Sequence, residues 1–78
     1  MTRVILYERV GCGLCRETRE ALRRLGAAVE RIDIDGDPAL VDRYTLRVPV
    51  LRAGDAELDA AGLEDGAVRR WLQANTGV

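Results

Sequence analysis

The apolar positions of this chain change their period several times, and each change marks an element. Val4-Ile5-Leu6-Tyr7 is a short β-branched run that predicts a buried strand over Arg3–Tyr7, followed by a loop from Glu8 to Gly11. From Gly13 the period becomes helical: Leu14, Thr18, Leu22 and Leu25 share one face, with Cys15 and Ala21 beside it. Arg23-Arg24 and then Gly26 are stop signals for that helix. Val29, Ile32 and Ile34 alternate with charges and predict a second strand over Val29–Ile34. Asp35-Gly36-Asp37-Pro38 is a turn in which Asp37 caps a short helix and Pro38 takes its first position; Leu40, Val41 and Tyr44 are its apolar residues. Val48-Pro49-Val50-Leu51 predicts a third strand, and Gly54-Asp55 a hairpin turn into a fourth at Ala56–Leu58. A last helix runs from Leu63, with Leu63, Ala67, Val68, Trp71 and Leu72 as its buried stripe.

The element order is thus β-α-β-α-β-β-α, an α/β chain with a four-stranded mixed sheet flanked by helices. At 78 residues the chain is expected to form one domain over 1–78, with a small core. A formal net charge of −1 argues against a footprint for nucleic acid, and no apolar run approaches the length that spans a bilayer. The N-terminus lacks the features of a secretion signal, so a cytoplasmic protein, most simply a monomer, is expected.

The candidate chemistry lies in Cys12-Gly13-Leu14-Cys15, placed where the first strand passes into the first helix. Unpaired N–H groups and the helix dipole favour a thiolate there, so Cys12 is the expected attacking thiol. Two intervening residues set Cys15 one turn later as the resolving partner, and Gly13 leaves the approach open. A structural disulfide would close a tiny loop and add little stability. A complete zinc site lacks ligands, because the chain has no His and no third Cys. Two thiolates alone suffice for a soft metal such as copper, and two unrelated core cysteines remain a third alternative.

Tyr7-Glu8-Arg9-Val10-Gly11-Cys12-Gly13-Leu14-Cys15 resembles the active-site segment of glutaredoxins, with Tyr five and a basic residue three positions before the first Cys. Val48-Pro49, within Arg-Val-Pro-Val-Leu, is similar to the Val–cis-Pro signature of the same family, and the whole chain resembles its short bacterial glutaredoxin-like group. The resemblance implies a thioredoxin-like fold and a dithiol oxidoreductase acting on protein or small-molecule disulfides, recharged by glutathione or a reductase. It also implies that Val48-Pro49 is cis, with the Val48 N–H and C=O turned outward to a partner. Arg9 becomes a cation for the thiolate or for a ligand carboxylate, and Tyr7 either lines the cleft or packs the strand end. Two departures bear on glutathione. Leu14 stands where the family has an aromatic residue, and Leu58-Asp59-Ala60-Ala61-Gly62 replaces its Gly-Gly-x-Asp clamp, with Asp59 or Asp65 as possible substitutes. Glutathione is therefore not expected as a tightly held ligand, with either it or a reductase left as the reductant, and no other cofactor is implied. The rival from another class is a copper carrier, which the chain resembles up to Ile34, although Val10 stands where such carriers usually have Met. A non-catalytic binding domain on the same fold is the third reading.

Overall fold

β1 (Val4–Glu8) runs through the middle of the molecule, and the other strands are placed by their register against it. A computed structural model describes residues 3–77. The sheet order is β2-β1-β3-β4, with β2 (Glu30–Asp33) parallel to β1 and with β3 (Val50–Ala53) antiparallel to it. β4 (Ala56–Asp59) pairs with β3 through a two-residue turn in which only Gly54 has a positive φ, 60°, as a type II′ hairpin requires. α1 (Gly13–Arg24) is the crossover between the parallel strands, α2 (Pro38–Tyr44) leads into β3, and α3 (Asp65–Thr76) follows the hairpin.

Period-two alternation in β1 and β3 sorts the core into two clusters. Val4, Leu6, Leu51 and Ala53 face Leu22 of α1 and Val68 of α3, with Val29, Leu58, Trp71 and Leu72 packed around them. On the other side, Tyr7 and Val50 meet Ile34 and Tyr44, with Ile5, Ile32, Leu40 and Val48 around them.

Several boundaries differ from the sequence expectation. β2 ends at Asp33, because the Asp33 carboxylate accepts the Asp35 N–H at 2.9 Å and turns Ile34–Gly36 into a 3₁₀ turn that buries Ile34. β3 starts at Val50, after Pro49, which has no N–H for a ladder. α3 starts at Asp65, and Leu63 sits in the preceding turn, exposed. Leu14 is also exposed, at 46%. It lies on the apolar arc of α1 by angle, but the buried set along the helix begins at Cys15 and continues through Thr18, Ala21 and Leu22. Asp37 caps α2 as expected, its carboxylate accepting the Ala39 N–H at 2.9 Å.

Candidate redox site

The turn into α1 is made by Gly11, whose φ of 80° belongs to the left-handed region that glycine enters without strain. It delivers Cys12 to the N-cap position, with extended backbone, φ −89° and ψ 111°. There the Cys12 Sγ accepts the backbone N–H of Cys15 at 3.1 Å, so the sulfur occupies the place a Ser or Asp oxygen fills in ordinary caps. No acidic residue stands in the first turn of α1 to oppose a negative sulfur. Both cysteines are free, but their surroundings differ. Cys12 is half-buried and Cys15 is 1% exposed. Burial pushes the Cys15 thiol up to about 11, with its hydrogen bond to Cys12 adding to the effect and the Arg9 backbone opposing it.

The Val48-Pro49 peptide bond is cis. Tyr7 pairs with Val50, and extending that antiparallel register sets Pro49 level with Glu8 and Val48 level with Arg9. The Val-Pro step therefore lies at the same end of the sheet as the loop carrying Cys12. Pro49 is fully buried and Val48 half-buried. The expected outward presentation of Val48 is only half available. Its N–H donates to the Tyr44 carbonyl at 3.0 Å, because the turn leaving α2 closes on it. The Val48 carbonyl accepts no such turn or loop hydrogen bond among the described residues.

Two further expected site residues have partners inside the protein. The Arg9 guanidinium is engaged with Asp35, its Nε 3.1 Å from both carboxylate oxygens and Nη2 3.0 Å from Oδ1. It ties the Cys12 loop to the turn after β2, and its charge is matched there. Tyr7 is 5% exposed and stacks on Tyr44 with ring centroids 4.4 Å apart, which is the strand-end packing among its two expected roles. The two aspartates offered as substitutes for the Gly-Gly-x-Asp clamp are also paired. Asp59 takes Arg47 at 2.8 Å, and Asp65 takes Arg24 at 2.9 and 3.0 Å, which holds the end of α1 to the start of α3.

The sequence reading missed Glu8. It is 7% exposed and its carboxylate lies between Arg19 of α1, at 3.2 Å, and Arg31 of β2, at 2.6 Å. The signal was present, since Glu8 continues the inward alternation of Val4 and Leu6, where a charge requires partners. Tyr44 was read as helix packing alone. Its hydroxyl also donates to Glu57 at 2.6 Å, and burial followed by that bond raises its ionisation to about 12. Among the described residues no group of three or more His, Cys, Asp or Glu is placed to hold a metal ion, and no helix is long and apolar enough to cross a membrane.

A cysteine-capped helix beside a cis-proline loop, on a four-stranded mixed sheet of this order, defines a thiol redox domain of thioredoxin-like fold. The chain belongs to the glutaredoxin-like family: the sequence profile described as "Glutaredoxin-like domain (DUF836)" matches residues 3–73. It is similar to the structural genomics protein XcR50 from X. campestris, with 40% identity over 91% of this chain and 96% of that one and a TM-score of 0.83. Protein Ne2328 from Nitrosomonas europaea shares 36% identity over 90% of this chain and 89% of its own, with a TM-score of 0.74. A glutaredoxin from Brucella melitensis shares 29% identity over 100% and 94%, with a TM-score of 0.67. No match is found among curated proteins.

Proposed function

We propose that this chain is a dithiol oxidoreductase that reduces disulfides of other polypeptides. The observation that carries the reading is the asymmetry of the pair: Cys12 half-open with its sulfur capping α1, Cys15 buried and held as a thiol. The Cys12 thiolate attacks one sulfur of the substrate disulfide. The S–S bond breaks, a mixed disulfide forms, and the departing thiolate takes up a proton. Cys15 then loses its proton and attacks the Cys12 sulfur, expelling the second substrate thiolate. The substrate gains two electrons and two protons, and Cys12–Cys15 becomes the disulfide. Once Cys12 is in the mixed disulfide its negative charge is gone, which removes one cause of the raised Cys15 ionisation just when that proton must leave.

What supports polypeptide over glutathione is how the polar groups of the site are spent. Arg9, Asp59 and the Val48 N–H each have an internal partner that glutathione would have to displace. Exposed Val10, Leu14 and Leu46, by contrast, flank the Cys pair and the Val-Pro step in sequence and offer apolar contact.

The test is trapping with single-cysteine variants. Cys15→Ser should accumulate a mixed disulfide on Cys12 with a disulfide peptide, and Cys12→Ser should form none at neutral pH. In the parent protein, iodoacetamide should label Cys12 at pH 7, and Cys15 should become reactive only as pH rises toward about 11. The peptide disulfide should also turn over faster than a glutathionylated peptide. Labelling of Cys15 first, or adducts on Cys15 in Cys12→Ser at a similar rate, would reverse the roles.

A further inference from the structure

Away from the Val-Pro step, α1 and β2 enclose an open groove of about 470 Å³ that the redox chemistry does not use. Its walls are arginines: Arg16, Arg19 and Arg23 from α1 and Arg31 from β2, against the single carboxylate of Glu20. Its floor is apolar, made by buried Leu22 and half-buried Ala27 and Val29. In a chain of net charge −1 this is a local concentration of positive charge. Arg23 has no carboxylate within 4.0 Å among the described residues, and Arg16 has only an exposed contact to Glu20 at 3.4 Å. Arg19 and Arg31 pair with Glu8, the Arg19 Nε lying 3.2 Å from Oε1 and the Arg31 Nε 2.6 Å from Oε2, which leaves their remaining guanidinium nitrogens to the groove. β2 is the outer strand of the sheet, so its free side presents backbone groups to an extended chain. Arg16 directly follows Cys15, and Arg23 lies about 10 Å further along the helix axis, so the groove leads away from the redox pair.

We infer that this groove docks an extended, acidic segment of the polypeptide whose disulfide Cys12 attacks, one that carries an apolar residue between its carboxylates. The inference rests on the proposed disulfide exchange for its link to Cys12, but the binding itself does not. Four guanidiniums around an apolar floor match carboxylates alternating with an aliphatic side chain. A sheet edge beside them matches an extended backbone.

The test uses the full chain and fluorescent peptides with their cysteines replaced by Ser, so that binding is read apart from chemistry. One peptide has an Asp-Leu-Glu-Glu flank and the other the corresponding Asn-Leu-Gln-Gln flank. The acidic peptide should bind about tenfold more tightly at low ionic strength, and the difference should collapse near 0.5 M salt (roughly threefold above the cellular level at which charges are already partly screened). Arg23→Glu should remove most of the preference. Arg23→Gln, which keeps a good helix residue in the last turn, should remove part of it and guards against a misfolded variant. Disulfide forms of the same peptides should show the same preference in kcat/KM. Equal binding of the two peptides, indifference to both Arg23 variants, or equally tight binding of a short DNA oligonucleotide would overturn the inference. If the acidic peptide binds as expected but neither disulfide form is exchanged, the docking surface stands and the proposed redox function fails.

Discussion

The two faces of the sheet are closed by different means. Under α1 and α3 the closure is aliphatic, with Leu6, Leu22, Leu51 and Val68 buried at 0–1% exposure. Under α2 the aliphatic residues, Ile34 and Val50 among them, surround a stacked tyrosine pair. Tyr44 hydrogen-bonds Glu57, and Arg43 and Arg47 lie over its ring at 5.5 and 5.2 Å while also pairing with Glu57. Each face carries one half of the site: α1 brings the cysteines, and α2 ends in the turn that sets Val48-Pro49. An aliphatic core spreads its stabilisation over many contacts, whereas the α2 face adds to its aliphatic contacts a ring stack, a hydroxyl bond and two cation contacts that are concentrated on one side chain, Tyr44. Under the proposed function, the half of the site that would meet a partner's backbone is therefore the half set by Tyr44 and its polar partners.

Removing the concentrated element is the strongest way to break this contrast. Tyr44→Ala should destabilise the fold by about 3–5 kcal/mol in urea unfolding, since it leaves a ring-sized cavity and takes the hydroxyl donor from Glu57, which keeps Arg43 and Arg47. It should also slow exchange with peptide disulfides while Cys12 is still alkylated at its parental rate. A loss below about 1 kcal/mol would show that the α2 face does not depend on this ring.

Glu8→Ala probes the other face at the one buried charge found there among the described residues. Two arginines lose their shared carboxylate, and the expected cost is about 1–3 kcal/mol by the same measurement. A more stable variant would mean that desolvation of Glu8 outweighs its pairs and that the α1 face would close as well without it. The smallest effect is expected from Arg9→Ala. The ion pair with Asp35 is partly exposed, so about 0.2–1 kcal/mol is lost, and Cys12 alkylation at neutral pH stays at the parental rate. A marked fall in that rate would return Arg9 to the role of cation for the thiolate.

The same contrast explains what the sequence disclosed. The aliphatic face was legible because its positions follow simple periods: Val4 and Leu6 alternate in a strand, and Thr18, Ala21 and Leu22 repeat in a helix. Cys12 and Cys15 stood out by their spacing at a strand-to-helix junction, and Val48-Pro49 by its likeness to a family signature. The partners of the polar residues were not legible. Arg9 meets Asp35 26 positions on, and Arg47 meets Asp59 12 positions on, which the tertiary fold alone decides. Leu14 and Leu63 were misplaced for a related reason, since a helical period gives the angle of a residue and not how far the neighbouring core extends along the axis.

The length of α2 has a consequence in time. Seven residues are too few for a helix that stands alone in water, so α2 persists only while Tyr44 is docked on the sheet. When it detaches, the Tyr44 carbonyl moves with it, and the Val48 N–H that it held is released. Breathing of this segment and opening of the second backbone group at the Val-Pro step are therefore one event. Under the proposed function, the frequency with which α2 lifts would set how often an incoming chain finds both the Val48 N–H and its carbonyl free.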